Sequence, residues 1–108
     1  MDDELRSRRV ADNEGLFREV NERVEDVAQE MGVDPEILCE CARRDCTRRL
    51  RVPVQEYERV RAYGRRFLVL PGHEQLEFER VIDQADGWLV VEKLGAAGRA
   101  AAEDDPRA

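Results

Sequence analysis

Hydrophobic positions divide the chain into a helical front and a strand-rich back. Leu16, Val20, Val24, Val27 and Met31 recur at spacings of three and four, with Phe17 beside them and Glu and Arg filling the gaps. That period predicts a helix over 13–31, capped by Asp12 or Asn13 and stopped at Gly32. The stripe is close to a heptad seam. It is expected to pack on its own domain, or else on a partner helix, including that of a second copy. Asp34-Pro35-Glu36 predicts a single helical turn, and 37–41 an extended segment. A helix continuing through Cys41 would set Cys39 and Cys41 about 200° apart. Alternate residues of a strand share one side instead.

Further along, 48–52 alternates as a half-exposed strand does, and Pro53 ends it. Val54, Tyr57 and Val60, followed by Ala62 or Tyr63, mark a short amphipathic helix stopped by Gly64. A buried strand is expected at 67–70, turned by Pro71-Gly72 just before His73. Strands at 77–82 and 88–93 are joined through Ala85-Asp86-Gly87, an Asp-Gly hairpin signal. Residues 1–12 are charged and nearly devoid of apolar side chains, which predicts disorder. Residues 95–108 are Ala-rich and then acidic, and a flexible tail is expected there. The sum is one α+β domain at 13–94: a long N-terminal helix followed by a small zinc-stapled antiparallel sheet with one short helix.

Composition supplies the reason for a staple. With about 80 residues left to form a core, stability is marginal, and domains of that size are often held by a metal or by oligomerisation. No apolar run approaches the roughly 18 residues of a membrane span. The start Met1-Asp2-Asp3-Glu4 is unlike a secretory signal. A cytoplasmic location without membrane contact is expected. In a reducing compartment clustered cysteines point to metal or redox chemistry rather than a disulfide framework, and three is an odd number.

All three cysteines fall in Cys39-Glu40-Cys41-Ala42-Arg43-Arg44-Asp45-Cys46, a C-x-C-x4-C spacing, and the only histidine is His73. Three thiolates and an imidazole make a tetrahedral donor set for Zn2+. Short segments between ligands lose little entropy on chelation. The sequence therefore predicts a metal site of Cys39, Cys41, Cys46 and His73, with Asp45 or Glu40 as alternatives to His73. Two rivals stand beside it: cysteines that merely pack, and a thiol redox role in which a Cys39–Cys41 bridge would be strained and reducible.

The net charge of −7 is uneven. Residues 43–66 hold nine Arg against three acids, whereas both flanking regions are acidic. Either these arginines pair within the fold, their stems covering apolar surface, or Arg43, Arg44, Arg48, Arg49, Arg51, Arg65 and Arg66 face nucleic acid. Overall acidity disfavours the second. Neither HExxH, nor the H-x-E and P-C-x-x-C context of zinc deaminases, nor a phosphate loop or serine elbow is present, so an enzyme is not expected.

Asn13-Glu14, Leu16-Phe17-Arg18-Glu19-Val20-Asn21-Glu22, Cys39-Glu40-Cys41, Asp45-Cys46-Thr47, Glu56-Tyr57, Pro71-Gly72-His73-Glu74 and Val90-Val91-Glu92-Lys93 together resemble small uncharacterised bacterial proteins of GC-rich genomes. The resemblance spans about residues 13–94 and brings no activity with it. It implies that the long helix and the Cys/His segment form one unit. Ala42 departs from it, since such proteins often carry Gly there; the resemblance implies a tighter turn and weaker metal binding. Two functions follow as expectations: a non-enzymatic zinc module that binds a protein partner or regulates one, and a zinc-stapled nucleic-acid binder. A zinc or thiol redox sensor is the remaining alternative.

Overall fold

The structure, a computed structural model, describes residues 2–41, 43 and 46–107, with side chains from residue 15 onward. Helix α1 (Asp2–Met31) is followed by strands β1 (Glu36–Leu38) and β2 (Arg49–Arg51), helix α2 (Val54–Arg61), strands β3 (Arg66–Val69), β4 (Glu79–Ala85) and β5 (Trp88–Lys93), and helix α3 (Gly95–Glu103). This is the α+β class that the pattern predicts. β1 and β2 pair antiparallel, and β3-β5-β4 form a separate antiparallel sheet.

Phe67–Val69 of β3 and Leu89–Val91 of the central strand β5 are continuously apolar because both faces of the sheet are covered there. Phe67 pairs with Val91 and Val69 with Leu89 on one face, and Leu68 pairs with Val90 on the other. The first face packs with Cys39, Cys41, Cys46 and Ala101. The second packs with Ile37 and Leu50 of the β1–β2 pair, with Val52, and with Tyr57 and Val60 of α2. β4 is the charged, mostly exposed edge, a pattern that discourages edge-to-edge pairing. Its hairpin turn is the two-residue Asp86-Gly87, so the strand runs to Ala85 rather than ending at Ile82.

Several expectations are corrected. The helix starts at Asp2 rather than at Asn13. Extending a formed helix costs far less than starting one, and 2–12 consists largely of Ala, Leu, Arg, Glu and Asp, none of which breaks it. No helical turn forms at 34–36. Instead Val33 N donates to Ala28 O and Gly32 N to Gln29 O, a Schellman end that turns the chain directly into β1. The expected tail at 95–108 contains α3, packed on α1 and β5 with Ala97, Gly98 and Ala101 buried. Its small residues are what permit this: a Cβ on Gly98 would lie 2.7 Å from Lys93 O.

The largest correction concerns the face of α1. Leu16, Val20, Val27 and Met31, the expected core stripe, are exposed, while Arg18, Asn21, Glu25 and Ala28 are buried. The helix turns a polar face inward because that face has partners. Arg18 donates to Gly64 O and Arg66 O, and its guanidinium lies 3.8 Å over the Phe67 ring. Asn21 holds Leu38 and Glu40. Buried polar groups are tolerated when they are hydrogen-bonded.

Candidate metal centre

Extended backbone through 39–41 sends the Cys39 and Cys41 side chains to one side and Glu40 to the other. Cys39 N donates to Arg48 O and Glu40 N to Leu68 O, which ties this segment between β2 and β3. Cys46 N donates to Arg43 O, closing a turn that folds Cys46 back over the first two sulfurs. His73 arrives from the end of β3 through a turn in which Gly72 has φ +90, a conformation that side-chain-bearing residues rarely adopt. His73 N donates to Leu70 O, and Arg43 Nη2 donates to Gly72 O at 3.1 Å, joining the cysteine segment to the turn that carries His73.

The imidazole Nδ1 lies 3.8 Å from Cys39 Sγ, 3.5 Å from Cys41 Sγ and 3.5 Å from Cys46 Sγ. All four donor atoms lie within 4.8 Å of one another. A tetrahedral zinc with its usual bond lengths would space S and N by about 3.6 Å and two sulfurs by about 3.8 Å. The three distances from Nδ1 match the first of those edges. The three cysteines are buried, and His73 is half-buried.

Each sulfur also accepts from the backbone. Leu70 N lies 3.3 Å from Cys39 Sγ. The amides of Arg43 and Arg48 bond the sulfurs of Cys41 and Cys46. Amides aimed at sulfur stabilise thiolate and fix the ligands' orientation, as outer-shell partners of metal sites do. The Cys41 thiol is accordingly lowered to about 4, first by the bond from Cys39 and then, against burial, by His73 and the Arg43 amide. Cys39 is raised, first by that same bond to Cys41 and then by burial, and burial likewise raises Cys46.

Of the alternative fourth ligands, Glu40 points away. Its carboxylate accepts from Asn21 Nδ2 and Leu68 N, both at 2.9 Å. Burial raises its carboxyl above the ordinary range, opposed by Arg18 and by these hydrogen bonds. Asp45 lies outside the described residues, as do Arg44 and Ala42. Among the arginines of the basic segment, Arg51 pairs with Glu36, and Arg66 pairs with Glu92 while lying over Tyr63. Arg43 holds the Gly72 turn, and Arg48, Arg49 and Arg65 are exposed.

Sequence reasoning missed the polar groups that seat the site. Glu40 stands between two cysteines, where its residue type suggests solvent, and Asn21 lies on a helix face read as polar. The alternation of Cys39-Glu40-Cys41 in an extended segment was the available signal that Glu40 turns inward. Set against known protein families, curated proteins and solved structures, the chain matches none. Among the described residues, no helix is long and apolar enough to cross a membrane.

Proposed function

We propose that the protein is a zinc-stapled interaction module: a Cys3His zinc site fastens the fold, and the folded surface binds a protein partner or regulates one. The observation that carries this is the convergence of three thiols and one imidazole nitrogen, all within 4.8 Å of one another. Three cysteines and a histidine favour Zn2+ over harder cations that prefer oxygen. Four protein ligands also leave no open position, which is the pattern of structural rather than catalytic zinc. The site joins the cysteine segment to the end of β3, and the thiols it gathers are packed into the core beside Phe67 and Val69.

The test is metal content by mass spectrometry on untagged protein purified without added zinc. Wild type is expected to carry about one zinc per chain, with Cys41→Ser and His73→Ala retaining less than about a tenth of that. Full zinc in both variants would overturn the ligand assignment. Metal-free, freshly reduced wild type would leave the thiols to a redox role.

A further inference from the structure

The apolar stripe that α1 turns away from the core forms a continuous strip. Leu16 is 60% exposed, Val20 39%, Val27 54% and Met31 69%. Val20, Arg23, Val24 and Val27 line a shallow apolar depression at its middle. At about 100° per residue, Glu19, Asp26 and Glu30 fall in a row along one flank, and Arg23 falls inside the strip. All four of these charged residues are exposed. The other flank, Phe17 and Val24, turns into the domain and is half-buried.

We propose that this strip docks an amphipathic helix of another protein that carries a row of Lys or Arg along one flank. A helix laid into the strip would cover the apolar residues through its own three- and four-residue spacing. Its basic row would meet Glu19, Asp26 and Glu30, and a carboxylate on its apolar face would meet Arg23. A second copy of this chain fits poorly in either direction. Antiparallel pairing brings equivalent flanks together, setting the acidic row against its own image. Parallel pairing sets Arg23 beside Arg23 in the seam. Like charges in contact select against that partner.

This inference rests on the reading of the protein as an interaction module, and specifies what it binds. The probe is a synthetic amphipathic helix of about 18 residues with Leu at helical spacing and Lys on one flank, and its control carries Glu in place of Lys. In anisotropy titrations the Lys peptide is expected to bind wild type at least tenfold more tightly than the Glu peptide, and to weaken as salt rises. Val27→Glu, at an exposed position, should keep the far-UV spectrum and lose at least tenfold in affinity. Equal binding of the two peptides, no binding at all, or binding unchanged by Val27→Glu would overturn the proposal. A dimer in sedimentation that Val27→Glu dissolves would also overturn it, by giving the strip to a second copy. Zinc content measured on the same samples separates the two readings. Peptide failure with one zinc bound defeats the partner alone, and peptide binding by zinc-free protein defeats the metal alone.

Discussion

Asn21 replaces a strand. Its Oδ1 accepts from Leu38 N at 2.7 Å, while Nδ2 donates to Leu38 O at 3.0 Å and to Glu40 Oε2 at 2.9 Å. One side-chain amide thus satisfies the open edge of β1 and part of a buried carboxylate that stands between two cysteines. Removing it would strand groups that have no water to turn to, and an unsatisfied buried polar group costs roughly 1–3 kcal/mol. Asn21→Ala is therefore expected to lose about 3 kcal/mol in urea unfolding, and Asn21→Asp more, because it sets a second carboxylate against Glu40. An alanine variant within about 0.5 kcal/mol of wild type would mean that this bridge contributes little. At this scale the cluster of three cysteines and His73 was legible and Asn21 was not. Thiols and imidazoles are rare side chains with distinctive chemistry, so three cysteines and one histidine announce themselves. A hydrogen-bonding amide is recognised only by partners 17 and 19 residues away, and spacing along the chain does not encode those.

Where α1, α2 and the C-terminal segment meet, charges decide how the elements are held. Arg107 bonds Glu22 and Glu58 and reaches Glu25 at 3.5 Å, while the buried Arg61 pairs with Glu22 and with Asp105 at 2.6 Å. Glu25 is the unfavourable member. Burial first, and then the neighbouring Glu58 carboxylate, push its carboxyl from 4.5 to about 7, although Arg107 opposes this. Its proton belongs to the Glu25–Glu58 pair. Below its unfolded value of 4.5 the group is protonated in both states and contributes nothing. Between there and about 7 the unfolded chain ionises while the folded one holds its proton, so stability falls as pH rises. Above that range the full penalty stays, roughly 3 kcal/mol. Glu25→Gln should consequently melt higher than wild type near pH 8, with the gap mostly closed near pH 5. A glutamine variant no more stable than wild type near pH 8 would show that Glu25 carries no such cost. This junction also marks how far element-level reading reached. Strands, hairpin and short helix followed from alternation and turn residues, because those signals are local. The inward face of α1 did not, since periodicity measures apolarity and this helix buries charges that distant residues neutralise. The packing of α3 was hidden for a related reason: alanines and a glycine make a weak signal until a close neighbour requires their smallness.

For the molecule as a whole, β3 and β5 are shared by both cores. Phe67 and Val69 face the cysteines, whereas Leu68 between them faces Ile37, Tyr57 and Val60. No residue of β3 can leave one core without moving a neighbour in the other. The metal site would grip the same strand at its end, through Leu70 N on Cys39 Sγ and through the turn that delivers His73. Loss of metal should therefore spread across the sheet instead of loosening a single loop. A ligand that binds only the folded state stabilises it by mass action, so the melting temperature should rise with free zinc. With a few kcal/mol at stake and about 4–8 °C per kcal/mol in a domain of this size, chelation is expected to lower the melting temperature by about 15 °C or more. The only tryptophan, Trp88, packs against the second core, on the side of the sheet away from the cysteines. Its fluorescence should change together with the far-UV signal when a chelator is added. If chelation leaves Trp88 and the melting temperature untouched while the thiols become reactive, the two cores are energetically separate, and the site is an appendage that could release its metal without unfolding the rest.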